Sequence, residues 1–501
     1  MRLAWNMAAG MASSVVLVLV NLMALPFYLR FLGMEAYGLI GFYATLQAVL
    51  QVLDLGLAPT VSREIAHGEE TGQQRRSASM LRTLGAVYIG VALLIAMIVA
   101  LSAAWIGAHW LQAKTLPEST VAQAVALMGV NLACRWPISL YHGALVGVHR
   151  LARSAATSMT INILAAATSI AVLAWGVRSI QAFFVVQAAF GLLQAIVLRS
   201  LARRAVGERD APYDFADLRR VLHFSAWMSG IAITSLVFTQ LDKALLSRLV
   251  DLESFGHYML AALLVSGLSV LTVPAFNVIY PKFTTLHARA DEAGLAKFYS
   301  DTSRMFAAAV FSLALALALH VQAIVTLWTG QADVAQRAAP LVALLAVGSA
   351  LNGLMYFPYA LQLATGRPSI PFAINMSLLL LALPTIVWLA VHRGAMGGAL
   401  SWALLGVVYV FVGTIVTGRR VAHFAGLAWL ARDIAIPLLL ALLPALAGAW
   451  ISRALALSPL GETTIAAVAA LVGIVAGSLY SPFARQQALA FARVRARPCP
   501  N

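Results

Sequence analysis

Residues 30–38 read Arg-Phe-Leu-Gly-Met-Glu-Ala-Tyr-Gly, and residues 248–256 read Arg-Leu-Val-Asp-Leu-Glu-Ser-Phe-Gly. Arg, Glu and Gly recur in register at an offset of 218 residues, and five further positions are alike in type. A second pairing, Pro59 to Gly72 against Pro281 to Gly294, follows each segment at a slightly shifted offset. Two matches in the same order point to an internal duplication.

The duplicated unit is a membrane-spanning one. Of the 501 residues, 61% are hydrophobic and 11% charged, whereas soluble domains carry about 45–50% and about 25%. That balance excludes a soluble enzyme, a disulfide scaffold and a disordered chain. Apolar runs of about 20 residues predict fourteen helices. Six lie near 8–29, 36–58, 81–106, 121–147, 155–176 and 180–199, and six near 222–247, 256–280, 303–328, 339–364, 370–391 and 396–418. A last pair lies near 433–453 and 463–482. The first run, from Met7 to Tyr28, is too long for a signal-peptide core.

Each repeat thus holds six helices, an even number, so both enter the membrane in the same orientation. The expected architecture is an all-α polytopic protein of two parallel six-helix repeats plus two C-terminal helices, the plan of an alternating-access transporter. The expected divisions are a lobe over 1–205, a linker over 206–221, a second lobe over 222–420, and the extra helices with a basic tail over 421–501.

Charge gives the expected topology. Twenty-five Lys and Arg fall on the side holding both termini, seven on the other side, and Arg135 and Lys243 within spans. By the positive-inside rule both termini lie in the cytoplasm. The net charge of +15 therefore reflects topology and contact with anionic lipid, and nucleic acid is not expected as a partner. Cys134 and Cys499 form no framework. Phosphate-binding glycine loops, His-Glu-x-x-His and paired Cys-x-x-Cys motifs are absent, so no metal, cofactor or catalytic residue is expected.

Several local motifs carry a resemblance. Leu25-Pro26-Phe27-Tyr28-Leu29-Arg30-Phe31-Leu32-Gly33, then Glu35-Ala36-Tyr37-Gly38-Leu39, resembles the opening of bacterial polysaccharide flippases. Asp54-Leu55-Gly56-Leu57 with Thr60, Arg63 and Ile65-Ala66 is similar to the close of their second helix. Gln240-Leu241-Asp242-Lys243 with Phe255-Gly256-His257-Tyr258, and Tyr280-Pro281, resemble their seventh helix, its exit and the end of the eighth. The family is the O-antigen and exopolysaccharide branch of the multidrug/oligosaccharidyl-lipid/polysaccharide exporters.

The resemblance implies a flippase in the bacterial inner membrane, not an enzyme. Its cargo would be undecaprenyl-diphosphate-linked oligosaccharide for surface polysaccharide such as O-antigen or exopolysaccharide. Its partners would be that lipid, the bilayer, and polysaccharide polymerase and export proteins.

Charged groups at mid-span are costly and face a cavity or a partner. Arg135 lies near the middle of the fourth helix, with Asn131, Ser139 and His142 on the same face at helical spacing. A guanidinium there suits a diphosphate, because its planar fork pairs bidentately with phosphate oxygens. Equally, it can pair with a carboxylate and lock the helix, kinked at Pro137, to a neighbour.

On the second helix Tyr43, Gln47, Gln51 and Asp54 share a stripe, with Asp54 a gate, an ion site or a helix-end cap. Asp242 is a coupling candidate, and Lys243 is a gate residue or one that snorkels to the interface. In the tenth helix Asn352, Tyr356 and Tyr359 share a face, on which Asn352 is a sugar contact and the aromatics suit packing. The deepest charge is positive, which disfavours a cation-coupled multidrug exporter. A peptidoglycan lipid-precursor flippase handles a similar diphosphate lipid and stands closer. A membrane glycosyltransferase or ligase would need a large outer loop with catalytic carboxylates, and the outer loops near 107–120 and 329–338 hold only Glu118 and Asp333.

Overall fold

Apolar residues spaced for helices make helices, and the chain is a multi-pass all-α membrane protein. The computed structural model describes residues 2–54, 57–207, 211–214, 237, 239–482 and 485. The first helices are α1 (Arg2–Leu32), α2 (Met34–Leu50, with a 3-10 extension Gln51–Asp54), α3 (Leu57–Glu70) and α4 (Gln74–Trp105, ending in a π turn). Then come α5 (Glu118–Arg135), α6 (Ile138–Gly147), α7 (Leu151–Ala174), α8 (Ile180–Val206) and α9 (residues 239–249). The bent pair α10 (Leu252–Ser266) and α11 (Ser269–Ala288) precedes α12 (Glu292–Leu319), α13 (Val321–Thr329), α14 (Ala332–Leu354) and α15 (Tyr356–Ala364). The chain continues through α16 (Ser369–Arg420), α17 (Leu427–Trp429), α18 (Ala435–Ala454) and α19 (Pro459–Leu479). It forms two units, Met1–Gly256 and His257–Asn501.

Among the described residues nine helical stretches are long and apolar enough to cross a membrane, ten with the bent pair α10–α11. Ten falls short of fourteen at four places. α16 is two arms folded at Gly394, whose φ of 57° no ordinary helix residue adopts. α1, 31 residues long, lies over the first predicted span, α2 is apolar but only 17 residues, and 222–247 lies mostly outside the described residues, as does most of the 206–221 linker. The basic stretch between the second and third predicted spans forms α3 and the start of α4. α3 is amphipathic and buries Leu57, Val61 and Ile65 against Leu81, Leu84 and Tyr88 of α4 and Leu140 and Leu145 of α6.

Within the first unit, the two repeated segments meet reciprocally. A Cβ on Gly38 would strike the backbone oxygen of Leu252, and one on Gly256 would come within 2.6 Å of the Met34 oxygen. Each glycine is thus fixed by close backbone approach. The 111–117 loop fastens the same place. Its Gln112 and Asp251 form an isolated bridge, the Gln112 side chain donates to the Arg248 oxygen at 2.9 Å, and Lys114 pairs with Asp251 at 3.2 Å. Glu35, buried in the first turn of α2, accepts from the amides of Lys114, Thr115 and Leu116 and from the Thr115 hydroxyl.

The second unit is built on rings. Fully buried Tyr299 of α12 packs edge-on or tilted against Phe283, Phe357, Phe424 and Trp429, with centroids 5.3–6.0 Å apart. Around it, Arg304 donates twice to Asp433 at 2.7 and 2.9 Å, and Ser300 donates to the same carboxylate at 2.6 Å. Arg304 also lies 3.8 Å from Asp301, which accepts from Ser481. This network ties α12 to the start and end of the last two helices.

Candidate functional site

The fourth span covers Glu118–Gly147, 30 residues, and Arg135 stands at its break. Pro137 has no amide hydrogen to give, and α5 ends at Arg135 while α6 starts at Ile138. The guanidinium is held by neighbours that carry no charge. Its Nε donates to Asn131 Oδ1 at 3.2 Å and its Nη2 to Gln187 Oε1 at 2.9 Å. Gln187 of α8 is itself braced by donating to Ser169 of α7 at 3.3 Å. No described carboxylate reaches Arg135, so the alternative of a locking ion pair is not what the described residues form.

Two neutral donors beside it lack partners. Asn131 is fully buried, and its Nδ2 bonds to nothing among the described residues. The Tyr43 hydroxyl is buried and equally without a partner, with its ring edge-on to Phe184 and within electrostatic reach of Arg135. Buried donors of this kind call for a ligand or water. An N–H and an O–H group without protein partners near one positive charge chemically suit an anion.

The expected stripe along the fourth helix does not continue past the break. Ser139 donates to Asp54 at 3.3 Å and His142 bonds to Ser154 at 2.8 Å. The cause is the interruption at 136–137, which ends the regular spacing assumed for one straight helix. Asp54 also accepts from Tyr88, so this carboxylate is bound by two hydroxyls at the end of the second span. Gln47 is half-buried and Gln51 exposed, and neither side chain has a partner among the described residues. Asp242 is buried and paired with its neighbour Lys243 at 3.3 Å, and Lys243 also donates to the Thr239 oxygen at 2.9 Å. Asn352 is half-buried on α14, with its side chain making no hydrogen bond to the described residues.

Two residues of the Arg135 site were missed in the sequence. One is Gln187. The other is Gly191, one turn on, where an added Cβ would lie 2.9 Å from Arg135 Cγ. Their signal was present as Gln187, Gly191 and Gln194 at helical spacing in an otherwise apolar run.

A third repeat match was also legible but overlooked. Asn131, Trp136, Pro137 and Leu140 recur as Asn352, Phe357, Pro358 and Leu361, at an offset of 221. Both copies are interrupted near this motif, at 136–137 between α5 and α6 and at 355 between α14 and α15. At this offset Arg135 corresponds to Tyr356, and Asp54 corresponds to Phe276 at the offset of 222 that relates Pro59 to Pro281.

Known proteins align with this organisation. A family profile described as polysaccharide biosynthesis protein matches residues 4–287. A protein of Shigella flexneri described as a "Putative O-antigen transporter" is 20% identical over 403 residues, covering 77% of this chain and 90% of that one. Among solved structures, a lipid II flippase MurJ in an inward closed conformation superposes with a TM-score of 0.68 at 12% identity, covering 97% of this chain and all of that one. An inward-facing multidrug resistance MATE transporter of the MOP superfamily gives 0.63 at 14% identity over 81% of this chain and 95% of that one. These likenesses show the fold of a membrane transporter.

Proposed function

Since the chain belongs to the polysaccharide biosynthesis protein family, we propose that it is a flippase for undecaprenyl-diphosphate-linked oligosaccharide, moving that lipid from the cytoplasmic to the outer leaflet of the bacterial inner membrane. The observation that carries this reading is Arg135, a mid-span guanidinium held by two amide oxygens and by no described carboxylate. A positive charge kept in a membrane without a counter-ion is costly, and a diphosphate supplies the missing charge bidentately. The resemblance to an O-antigen transporter over most of the chain supports the glycan half of the substrate.

In this mechanism the diphosphate docks on Arg135, with Asn131 Nδ2 and the Tyr43 hydroxyl donating to its oxygens. Gln187 and Ser169 keep the guanidinium aimed, and Gly191 leaves it room. Rocking of the repeat-built protein then exposes the site to the other leaflet while the prenyl chain stays in lipid. Both termini lie in the cytoplasm, as the 25-to-7 bias of basic residues supports. A cationic drug is a poorer cargo, because the deepest free charge repels it and Asp54 is already bound by Tyr88 and Ser139.

Deletion in the native host tests this reading. The expected result is accumulation of undecaprenyl-linked repeat units with loss of one surface glycan, restored by the wild-type chain. Unchanged glycans with new sensitivity to cationic drugs would replace it with drug export.

A further inference from the structure

Where the first repeat carries charge, the second carries rings. Phe276 and Tyr280 of α11 are one turn apart, 5.6 Å between centroids and within 2° of parallel. Tyr359 of α15 lies 5.6 Å from Phe276 at 24°, and Tyr356 stands edge-on to both. All four are only half-buried. The core rings of the same unit, Phe283, Tyr299, Phe357 and Trp429, are fully buried, so this second cluster is not core.

Its polar edge has no protein partner. The hydroxyls of Tyr280, Tyr356 and Tyr359 and the amide of Asn352 make no hydrogen bond to the described residues. Tyr356 and Tyr359 stand at i and i+3 on α15, and Asn352 lies on the last turn of α14, across the break at Met355. Facing hydrocarbon, each such group would go unsatisfied at a cost of several kcal/mol. A surface with four of them is therefore built to meet water or a polar ligand. It carries no charge, so it recognises neither diphosphate nor carboxylate.

Rings in near-parallel array, edged with hydroxyl and amide groups, fit the one ligand that shares both properties. A pyranose ring has a face of C–H bonds that rests on the electron-rich face of an aromatic ring, and a rim of hydroxyls that pair with Tyr and Asn. We infer that Phe276, Tyr280, Tyr356 and Tyr359, with Asn352, form a glycan-stacking platform that holds the sugars of the transported lipid. The inference rests on the flippase reading and names the part of the substrate that Arg135 does not recognise. Repeat equivalence supports it, since Tyr356 occupies the position of Arg135 and Phe276 that of Asp54.

The test compares two probes on purified full-length protein in nanodiscs: undecaprenyl diphosphate, and lipid-linked oligosaccharide extracted from a transporter-deletion host. The wild type should bind the glycosylated lipid about tenfold more tightly, the worth of one good ring contact. Phe276→Leu with Tyr359→Leu should reduce that preference to about twofold or less while undecaprenyl diphosphate binds as before. Tyr359→Phe, which keeps the ring, should retain most of it.

The inference is overturned if the double variant keeps the preference, or if a folded double variant weakens for both lipids equally. It is overturned too if the wild type binds both alike. Should the wild type bind neither, the flippase reading itself fails and the platform falls with it. Binding of tetraphenylphosphonium that the same variants abolish would assign the rings to cations instead.

Discussion

Arg135 and Arg304 are both largely withdrawn from solvent, yet the protein treats them in opposite ways. Arg304, in the second unit, is held by Asp433 and Asp301, and its guanidinium also lies over the Tyr480 ring. Asp433 in turn accepts from Ser300 and Arg432, so charge and hydrogen-bond capacity are both met inside the protein. Arg135, in the first unit, receives two amide oxygens and keeps its charge. A buried arginine that is fully answered holds helices together. One that is oriented but unanswered is kept for something that arrives from outside. Burial alone does not separate the two, and the partner list does.

Several experiments would break or sharpen this contrast. The largest effect is expected at the answered arginine. Arg304→Ala leaves buried Asp433 with the Ser300 hydroxyl and, as counter-ion among the described residues, a largely exposed Arg432, and should cost about 3–5 kcal/mol, read as a lowered thermal midpoint in detergent. A midpoint unchanged by Arg304→Ala would remove the distinction.

Giving Arg135 a counter-ion should convert it to the other kind. Gln187→Glu places a carboxylate where an amide oxygen now sits 2.9 Å from Nη2. The variant should fold and insert normally, because the charge is now paired, yet lose most lipid export, because the ligand must displace an internal partner. Export at the wild-type level from the Glu variant would show that the open guanidinium is not what the substrate uses.

The smallest effect is expected at the loop fastening the repeated segments. Partial burial pushes the Asp251 carboxyl up, but the amide and hydroxyl of Ser254 and the Lys114 ammonium outweigh it and hold it below the ordinary carboxylate value. A native value below the unfolded one contributes stability above about pH 4 that is lost as pH falls through the native value. The pair is well exposed on the Lys114 side, so Asp251→Asn should cost under about 1 kcal/mol. It should also flatten the acid limb of the thermal-midpoint profile, and an unaltered limb would remove Asp251 from the latch.

How much of this could be read from the chain depended on range. Runs of about 20 apolar residues place spans without knowledge of neighbours, and the Arg30–Gly38 and Arg248–Gly256 match exposed a duplication whose glycines meet the opposite segment. Arg135 and Asn131, four residues apart, were legible as a pair on one turn. Ser139 and His142 were not, because extending the face past Pro137 assumed a continuous helix. Gln187 lies 52 residues from Arg135 and Asp433 lies 129 from Arg304. Partners so distant are chosen by packing, and only Gln187, Gly191 and Gln194 on one face of α8 hinted at theirs. Tyr356 and Tyr359 read as packing, and only their exposure, their unpartnered hydroxyls and the rings of Phe276 and Tyr280 beside them separate them from the true core.

The most direct test of the central claim is the affinity of undecaprenyl diphosphate for the wild-type protein and for Arg135→Gln, both purified full-length in nanodiscs at one salt concentration. Loss of charge-assisted hydrogen bonds worth about 1.5–3 kcal/mol should weaken binding about 10- to 150-fold, with the thermal midpoint little changed and Arg135→Lys between the two. Equal affinity in the Gln variant and the wild type would contradict the account and leave Arg135 without a part in holding the lipid.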